Sequence, residues 1–299
     1  MQIPKQASEA AAALMALDAW RQREPSRFYR PHAGQESFHR SRHTTRIMAP
    51  GNRWGKSTAM MVEADWWLNG KHRYQSVPKQ DCLVLWLAPQ YRQFELLKPQ
   101  IESQALTAGW SWNMQKSKYE WENGSELWVI PADRDWYYIQ GINPDLVLCD
   151  EEPPLPLWRE LLTRRFGYRN GRKVRTRYVI GATATQSESW MERELYTPWL
   201  EHHAKLGLSE TQAMAVQSHP EVWCWPRGGI ADNPMAEAAD VAHYQSISWT
   251  SQEEKRVRMG GGFANFSGQT VFDRDGMAWV KQQSEALDTE HPGVNGAIR

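Results

Sequence analysis

The chain has 299 residues, with 35 Lys plus Arg and 35 Asp plus Glu, so its formal net charge at pH 7 is zero. This length allows one large α/β domain or a main domain with a small appendage, and the balanced charge excludes a global basic field, so any contact with nucleic acid must rest on a local patch. The three cysteines lack C-x-x-C spacing, and the chain has neither a signal-peptide pattern nor a membrane-length apolar run, so we expect a soluble protein with buried, reduced thiols and no zinc.

The first predicted element is a helix over residues 8–22, where alanines, leucines and Trp20 recur at helical spacing. Pro25 and the stretch 31–34 break this helix. Gln35 lies just upstream of the next motif, and its carboxamide can hydrogen-bond the edge of an adenine because it offers both a donor and an acceptor. An isolated glutamine is more often only solvated, so this assignment depends on its neighbours.

Residues 44–58 predict a phosphate-binding turn between a short apolar strand and a helix that opens on Lys56 and Ser57. Backbone N–H groups and the positive end of the helix face the anion, Lys56 neutralises it, and the Ser57 hydroxyl can ligate Mg²⁺. The spacing is imperfect, since Pro50 stands where the first glycine of G-x-x-x-x-G-K-[ST] falls, and a chance G-K-S turn is the alternative. The residues assigned to nucleotide binding are Gln35, Gly51, Asn52, Arg53, Trp54, Gly55, Lys56, Ser57 and Thr58.

Between this turn and the next chemical motif, the pattern alternates between helix and strand. It predicts a helix over 56–69, a strand covered on both faces over 82–88, a helix over about 91–106, and a hairpin that turns at Asn123-Gly124. This alternation is typical of an α/β protein with a parallel sheet.

Residues 145–154 predict a buried strand that delivers carboxylates at its C-terminal end, where open α/β sheets bind ligands. In a nucleoside triphosphatase, Asp150 would hold Mg²⁺ and Glu151 would orient and deprotonate the attacking water. An acidic helix cap after a buried strand is the alternative, but it leaves the turn at Lys56 unexplained. Together the two motifs predict a nucleotide site.

A helix from about residue 156 leads into the basic segment between Arg164 and Arg177, which contains no acidic residue. Such a segment can follow a phosphate backbone or form a solvated loop, and the sequence favours neither. In the first case, the residues assigned to DNA are Arg169, Arg172, Lys173 and Arg175.

The sequence then predicts one more core strand at residues 178–180, which leads into a segment with the hydroxyls of Thr183 and Thr185. Further on, it predicts a helix over 190–206, a short strand over 221–226 and a capping box from Ser251 to Glu254. We divide the chain into a helical extension (1–30), a P-loop core (31–189), a lid subdomain (190–260), and a linker that leads toward a further domain (261–299).

These motifs together resemble the large terminase subunit of tailed bacteriophages, the motor that packages DNA into proheads. The resemblance covers most of residues 30–272 and rests on Gln35, residues 51–57, Gln140-Gly141, residues 150–154 and residues 183–185. It implies a P-loop NTPase of the additional-strand, catalytic-glutamate type, with a central, mainly parallel sheet flanked by helices.

The resemblance also implies roles for individual residues. Lys56 and Ser57 bind phosphate and Mg²⁺, Asp150 coordinates the metal, Glu151 is the catalytic base, Arg53 stabilises transition-state charge, and Thr183, Ala184 and Thr185 couple hydrolysis to movement. The implied cofactors are ATP and Mg²⁺. The implied partners are double-stranded DNA, the portal protein and the small terminase subunit, with a homo-oligomeric ring acting in the cytoplasm of the infected host.

The sequence departs from this family pattern at two points. Some members carry an arginine before the glycine that corresponds to Gly141, whereas this chain has Gln140, so an intersubunit arginine must come from elsewhere, with Arg134 as a candidate, or be absent. Full-length large terminases also carry a C-terminal nuclease, and this chain stops near where it should begin. Asp273 and Asp275 are not predicted to bind metal, so no nuclease activity is expected.

Two other functions remain open at this stage. The first is a DNA helicase or another DNA-stimulated translocase. The second is an assembly module that binds nucleotide with little hydrolysis, an alternative that Pro50 in the loop keeps open.

Overall fold

The computed structural model describes residues 5–133, 136–185 and 189–264. The elements described below belong to one compact unit that ends at Phe263. Within the described residues, none of the helices combines the length and the apolar character needed to cross a membrane. All three cysteines are buried free thiols.

The helices are α1 (Lys5–Arg23), α2 (Pro25–Phe28), α3 (Ala33–Arg40), α4 (Lys56–Leu68), α5 (Tyr91–Gln104), α6 (Leu155–Thr163), α7 (Thr197–Lys205), α8 (Glu210–Val216), α9 (Ala238–Ser246) and α10 (Gln252–Gly260). The strands are β1 (Thr45–Met48), β2 (Leu83–Ala88), β3 (Trp110–Asn113), β4 (Lys118–Trp121), β5 (Glu126–Pro131), β6 (Leu146–Asp150), β7 (Phe166–Arg169), β8 (Arg172–Arg175), β9 (Arg177–Gly181) and β10 (Val222–Trp225).

Eight strands form one sheet in the order β10-β1-β9-β6-β2-β5-β4-β3. All neighbours from β10 to β5 run parallel, while β4 and β3 continue the sheet antiparallel. β9 therefore lies between β1, which precedes the phosphate-binding turn, and β6, which carries the acidic residues. This is the additional-strand arrangement, and the predicted fold class is confirmed.

The central strands are buried on both faces because helices cover each side of the sheet. Successive residues of β2 alternate between two core clusters: Trp86 packs with α4 and α5 on one face, and Leu87 packs with α6 and α7 on the other. This burial explains why β2 and β6 read as continuous apolar runs in the sequence.

Two of the differences between the structure and the predicted elements affect the segments that carry candidate site residues. A helix, α3, occupies residues 33–40, where only a passage toward the first strand was expected. The basic segment after α6 forms a hairpin, β7–β8, that turns at Asn170-Gly171, with φ of 49° and 74°. Asn-Gly is the dipeptide that this left-handed turn favours.

The segment predicted to form a lid contributes to the main sheet. Its strand β10 pairs in parallel with β1, with Thr45 opposite Val222. Part of residues 190–260 therefore completes the sheet of the predicted P-loop core and lies in the same compact unit. The hairpin predicted at Asn123-Gly124 is present as β4 and β5.

Candidate nucleotide site

The turn between β1 and α4 forms one wall of a cleft of about 390 Å³, lined by Asn52, Arg53, Gly55, Lys56, Ser57, Thr58, Leu97, Gln100, Glu151, Thr183 and Asn233. Gly55 adopts φ of 99°, and a Cβ at this position would lie 2.6 Å from Gln35 Nε2, so the turn requires glycine. α4 begins directly after Gly55, and the N–H groups of its first turn have no partner within the helix. Together with the helix dipole, they make this wall an anion site.

Gln35 holds the turn from behind. Its Nε2 donates to the Gly55 carbonyl at 3.1 Å, and its Oε1 accepts from the His32 N–H at 3.2 Å. The side chain is only 5% exposed. In this structure the carboxamide is therefore engaged with the turn and with the start of α3.

Residues far along the chain support the other side of the turn. The Gly51 N–H donates to the Gly228 carbonyl and the Asn52 N–H to the Arg258 carbonyl, each at 2.7 Å. Asn233 Nδ2 donates to the Arg53 carbonyl at 2.7 Å. The sequence prediction missed Asn233, and no motif around it could have indicated this contact.

Lys56 reaches across the loop. Its Nζ donates to the carbonyls of Pro50 at 2.9 Å and Gly51 at 3.0 Å, and to Thr183 Oγ1 at 2.9 Å. Burial lowers the pKa of Lys56 to about 8, against the opposing charges of Glu151 and Asp150. An anion placed beside this amine would favour its charged form.

The acidic residues predicted at the end of the strand that is now β6 face the turn. Ser57 Oγ donates to Asp150 Oδ1 at 3.3 Å, and the Thr183 N–H donates to Glu151 Oε2 at 3.0 Å. Thr183 Oγ1 also donates to Asn52 Oδ1 at 2.8 Å. The turn, the acidic strand β6 and the end of β9 therefore meet in one hydrogen-bonded group.

The carboxyl groups of Asp150 and Glu151 both have a pKa above that of a free carboxylic acid. Desolvation and the charge of Glu151 raise the pKa of Asp150 to about 7, although Ser57 and Lys56 act in the opposite direction. Desolvation also raises the pKa of Glu151, and the charge of Lys56 lowers it. Glu151 has a positive φ of 88°, a strained conformation for a non-glycine residue.

Ser57 and Asp150 have the chemistry of a Mg²⁺ site. The Ser57 hydroxyl and the Asp150 carboxylate are the oxygen ligands that this ion prefers, and they lie within 3.3 Å of each other. A divalent cation here would also favour the ionised form of Asp150, whose pKa is raised by burial.

Glu152 has a different environment from the two preceding acids. Ser189 Oγ donates to its Oε2 at 2.7 Å, and the Met191 N–H donates to its Oε1 at 3.2 Å. Its carboxylate therefore stabilises the start of the helical segment that leads into α7. This arrangement leaves Glu151 as the acid directed toward the Lys56 turn.

The other predicted residues are placed as follows. Ala184 is buried, the Thr185 N–H donates to the Thr183 carbonyl at 2.8 Å, and Trp54 is buried behind the turn. Gln140 is exposed. Arg134, Asp273 and Asp275 lie outside the described residues.

The four basic residues assigned to DNA do not share one environment. Arg169 and Arg172 both form ion pairs with the buried Asp145. Lys173 and Arg175 are exposed on β8. The first pair therefore attaches the hairpin to the sheet, and only the second pair is directed to solvent.

No protein-family model matches the sequence, and no curated protein matches it. Among solved structures, the chain is similar to the large terminase ATPase domain of Thermus phage P74-26, with a TM-score of 0.51 and 18% identity, covering 77% of this chain and 93% of that one. It is also similar to the large terminase of another thermophilic bacteriophage in complex with ADP, with a TM-score of 0.51 and 10% identity, covering 77% of this chain and 52% of that one. The chain thus has the fold of large terminase ATPase domains and spans about half of the second of these proteins.

Proposed function

We propose that this chain is an ATPase of the large terminase type, which hydrolyses ATP with Mg²⁺ and thereby moves double-stranded DNA into a prohead. The observation that carries the proposal is the meeting of Lys56 and Ser57, on the turn, with Asp150 and Glu151, at the end of β6, around one cleft. A triphosphate at the start of α4 would have its terminal phosphate next to these acids.

In this proposal each side chain has a separate task. Lys56 and the N–H groups at the start of α4 bind the phosphates, and Arg53, on the cleft wall, stabilises charge that develops during transfer. Ser57 and Asp150 hold Mg²⁺, which when bound neutralises phosphate charge. Glu151, oriented by the Thr183 N–H, accepts a proton from the attacking water, and its raised pKa suits a general base.

Thr183 is the residue that can sense the state of the nucleotide. Its hydroxyl contacts Lys56 and Asn52, while its N–H contacts Glu151. Loss of the terminal phosphate would change the partners of Lys56 and so the position of the segment from Thr183 to Thr185. Gln35 contributes by fixing the turn, since its carboxamide already bonds to Gly55.

The packaging role follows by analogy to the ATPase domains that share the fold. It comprises duplex DNA as cargo, the portal protein and the small terminase subunit as partners, and a homo-oligomeric ring in the cytoplasm of the infected host. One observation favours a second function, an assembly module with little hydrolysis: the Lys56 amine is fully engaged by loop carbonyls and Thr183. Phosphate release with and without duplex DNA separates the two, because an assembly module would release none in either condition.

The assignment of the base is tested by comparing Glu151→Gln with Glu152→Gln. We expect Glu151→Gln to bind nucleotide normally and to release phosphate about 10² to 10⁴ times more slowly, since it loses a positioned base. Glu152→Gln should keep its turnover per folded molecule. The measurements are phosphate release and binding of a fluorescent ATP analogue, with Lys56→Ala as the non-binding reference. Unchanged turnover in Glu151→Gln would contradict the assignment.

A further inference from the structure

A second cavity, of about 420 Å³, lies at the amino-terminal ends of the central strands, on the edge of the sheet opposite the nucleotide site. Thr44, Asp145 and Thr176, which precede β1, β6 and β9, line it, and the β7–β8 hairpin forms another wall. We call this cavity the arginine pocket because five arginines line it: Arg42, Arg165, Arg172, Arg175 and Arg177. Asp145 is the acidic residue of this lining.

The acidic groups around the arginine pocket do not balance its cations. Asp145 is only 2% exposed and is shared by Arg172, at 2.7 Å, and Arg169. Arg165 pairs with Glu221 at 2.7 Å. Among the described residues, no acid lies in direct contact with the other three arginines of the pocket.

Those remaining arginines are concentrated in a small volume. Arg177 donates to Gln75, a neutral partner. Arg42 and Arg175 are exposed and form no ion pair with any residue that the structure describes. Burial, with the nearby charges of Arg46 and Arg42, lowers the pKa of Arg177 to about 10, against the opposing charge of Glu63. An anion in the pocket would reduce this repulsion between like charges.

The shape of the positive surface favours an extended polyanion over a small one. It continues from the pocket along β8 to the exposed Lys173, and Tyr168 and Phe166 on β7 are 72% and 61% exposed. Guanidinium groups bind phosphate oxygens through two parallel hydrogen bonds, and exposed aromatic rings next to them can pack against sugars.

We propose that the arginine pocket binds the phosphate backbone of a polynucleotide, with Arg42 and Arg175 as the direct contacts. Arg169 and Arg172 are positioning residues that attach the hairpin to Asp145 and keep the pocket open. The choice of duplex DNA as the polynucleotide rests on the proposed function. The pocket itself rests only on the convergence of arginines, so DNA binding can be tested separately from ATP hydrolysis.

The test measures binding of a fluorescent DNA duplex by the full chain, without nucleotide, over a series of salt concentrations. Each phosphate contact contributes about 0.9 to the slope of log affinity against log salt concentration. Arg42→Ala combined with Arg175→Ala should therefore lower the magnitude of that slope by about two and weaken binding to all duplex sequences alike. Arg21→Ala combined with Arg159→Ala is the matched control, since these arginines are 57% and 68% exposed on other elements.

Both double variants should unfold at the same temperature as the unmodified chain, since they change exposed side chains, and both should bind the fluorescent ATP analogue normally. An unchanged salt slope in the pocket variant, or an equal loss in the control, would overturn the proposal. Competition by polyglutamate but not by a DNA duplex would identify an acidic protein partner instead. Failure of the chain to hydrolyse ATP would leave this result interpretable, because the assay contains no nucleotide.

Discussion

At the level of single residues, Glu63 on α4 is a buried charge outside the nucleotide site with several partners. It is fully buried, and its carboxylate accepts from Arg46 at 2.7 Å, His39 at 2.7 Å, His72 at 3.1 Å and Trp67 Nε1 at 3.1 Å. Burial alone would raise the pKa of Glu63, but the charge of Arg46 and the two histidine contacts hold it well below its usual range.

The two histidines could form a metal site with Glu63, but their other contacts favour a hydrogen-bonded network. The Tyr74 N–H donates to His72 Nδ1 at 3.1 Å, so the proton of His72 lies on Nε2, facing Glu63. His39 Nε2 lies 3.3 Å from the Tyr29 hydroxyl, which leaves its Nδ1 to donate to Glu63. In this arrangement, Nδ1 of His39 and Nε2 of His72 both donate to Glu63.

We predict that Glu63→Ala lowers the free energy of unfolding by about 3 to 5 kcal/mol, because it leaves the charge of Arg46 buried and unpaired. Urea unfolding at neutral pH measures this change. Glu36→Ala provides the comparison, since Glu36 pairs with Arg40 on the exposed face of α3 and should cost less than about 1 kcal/mol. Equal losses in the two variants would contradict a structural role for the buried group.

At the level of elements, α10 links a predicted cap to the nucleotide site. Ser251 Oγ accepts from the Glu254 N–H at 3.0 Å, so this half of the predicted capping box is present. Near the end of the same helix, the Arg258 carbonyl accepts from the Asn52 N–H on the phosphate-binding turn. A change at the start of α10 can therefore affect a loop that is distant in sequence.

We predict that Ser251→Ala lowers the free energy of unfolding by about 1 kcal/mol, as is usual for the loss of a helix cap, and also raises KM for ATP. Ser209→Ala removes the corresponding cap of α8, where Ser209 Oγ accepts from the Gln212 N–H. Ser209→Ala should lower the free energy of unfolding by a similar amount and leave KM for ATP unchanged. Thermal unfolding and ATPase kinetics distinguish the two variants, and an identical KM in both would contradict the link through Arg258.

At the level of the whole molecule, the site depends on the order of strands in the sheet. β1 and β6 are each hydrogen-bonded to β9, so their carboxyl ends lie at the same edge, with Thr183 between them. This arrangement places the buried amine of Lys56 near the carboxylates of Asp150 and Glu151. The protonation of these groups therefore depends on the assembled sheet.

This arrangement predicts a narrow pH optimum for kcat/KM, which reports the free enzyme. The pKa of Asp150 is raised to about 7, so the ionised form that can hold Mg²⁺ is lost as the pH falls through 7. The pKa of Lys56 is lowered to about 8, so the charged amine that binds phosphate is lost as the pH rises through 8. We expect kcat/KM for ATP to decrease on both sides of this range. A constant value from about pH 6 to 9 would contradict it.

The sequence by itself determined the local features of this protein. The Gly55-Lys56 turn, the acidic end of β6 and the hairpin at Asn123-Gly124 could be predicted because each depends on a few adjacent residues with strong conformational or chemical preferences. Asn170-Gly171 has the same hairpin signal, although the basic segment around it was predicted only as a phosphate-binding segment or a solvated loop.

Only the tertiary structure decided which side chains meet. It engaged Glu152 with Ser189 and Met191, engaged Gln35 behind the turn, and placed β10 beside β1. It also separated basic residues that pair with Asp145 from those that face solvent. Such contacts join residues far apart in the chain, and their formation depends on strand order and side-chain direction, for which a linear pattern contains no signal.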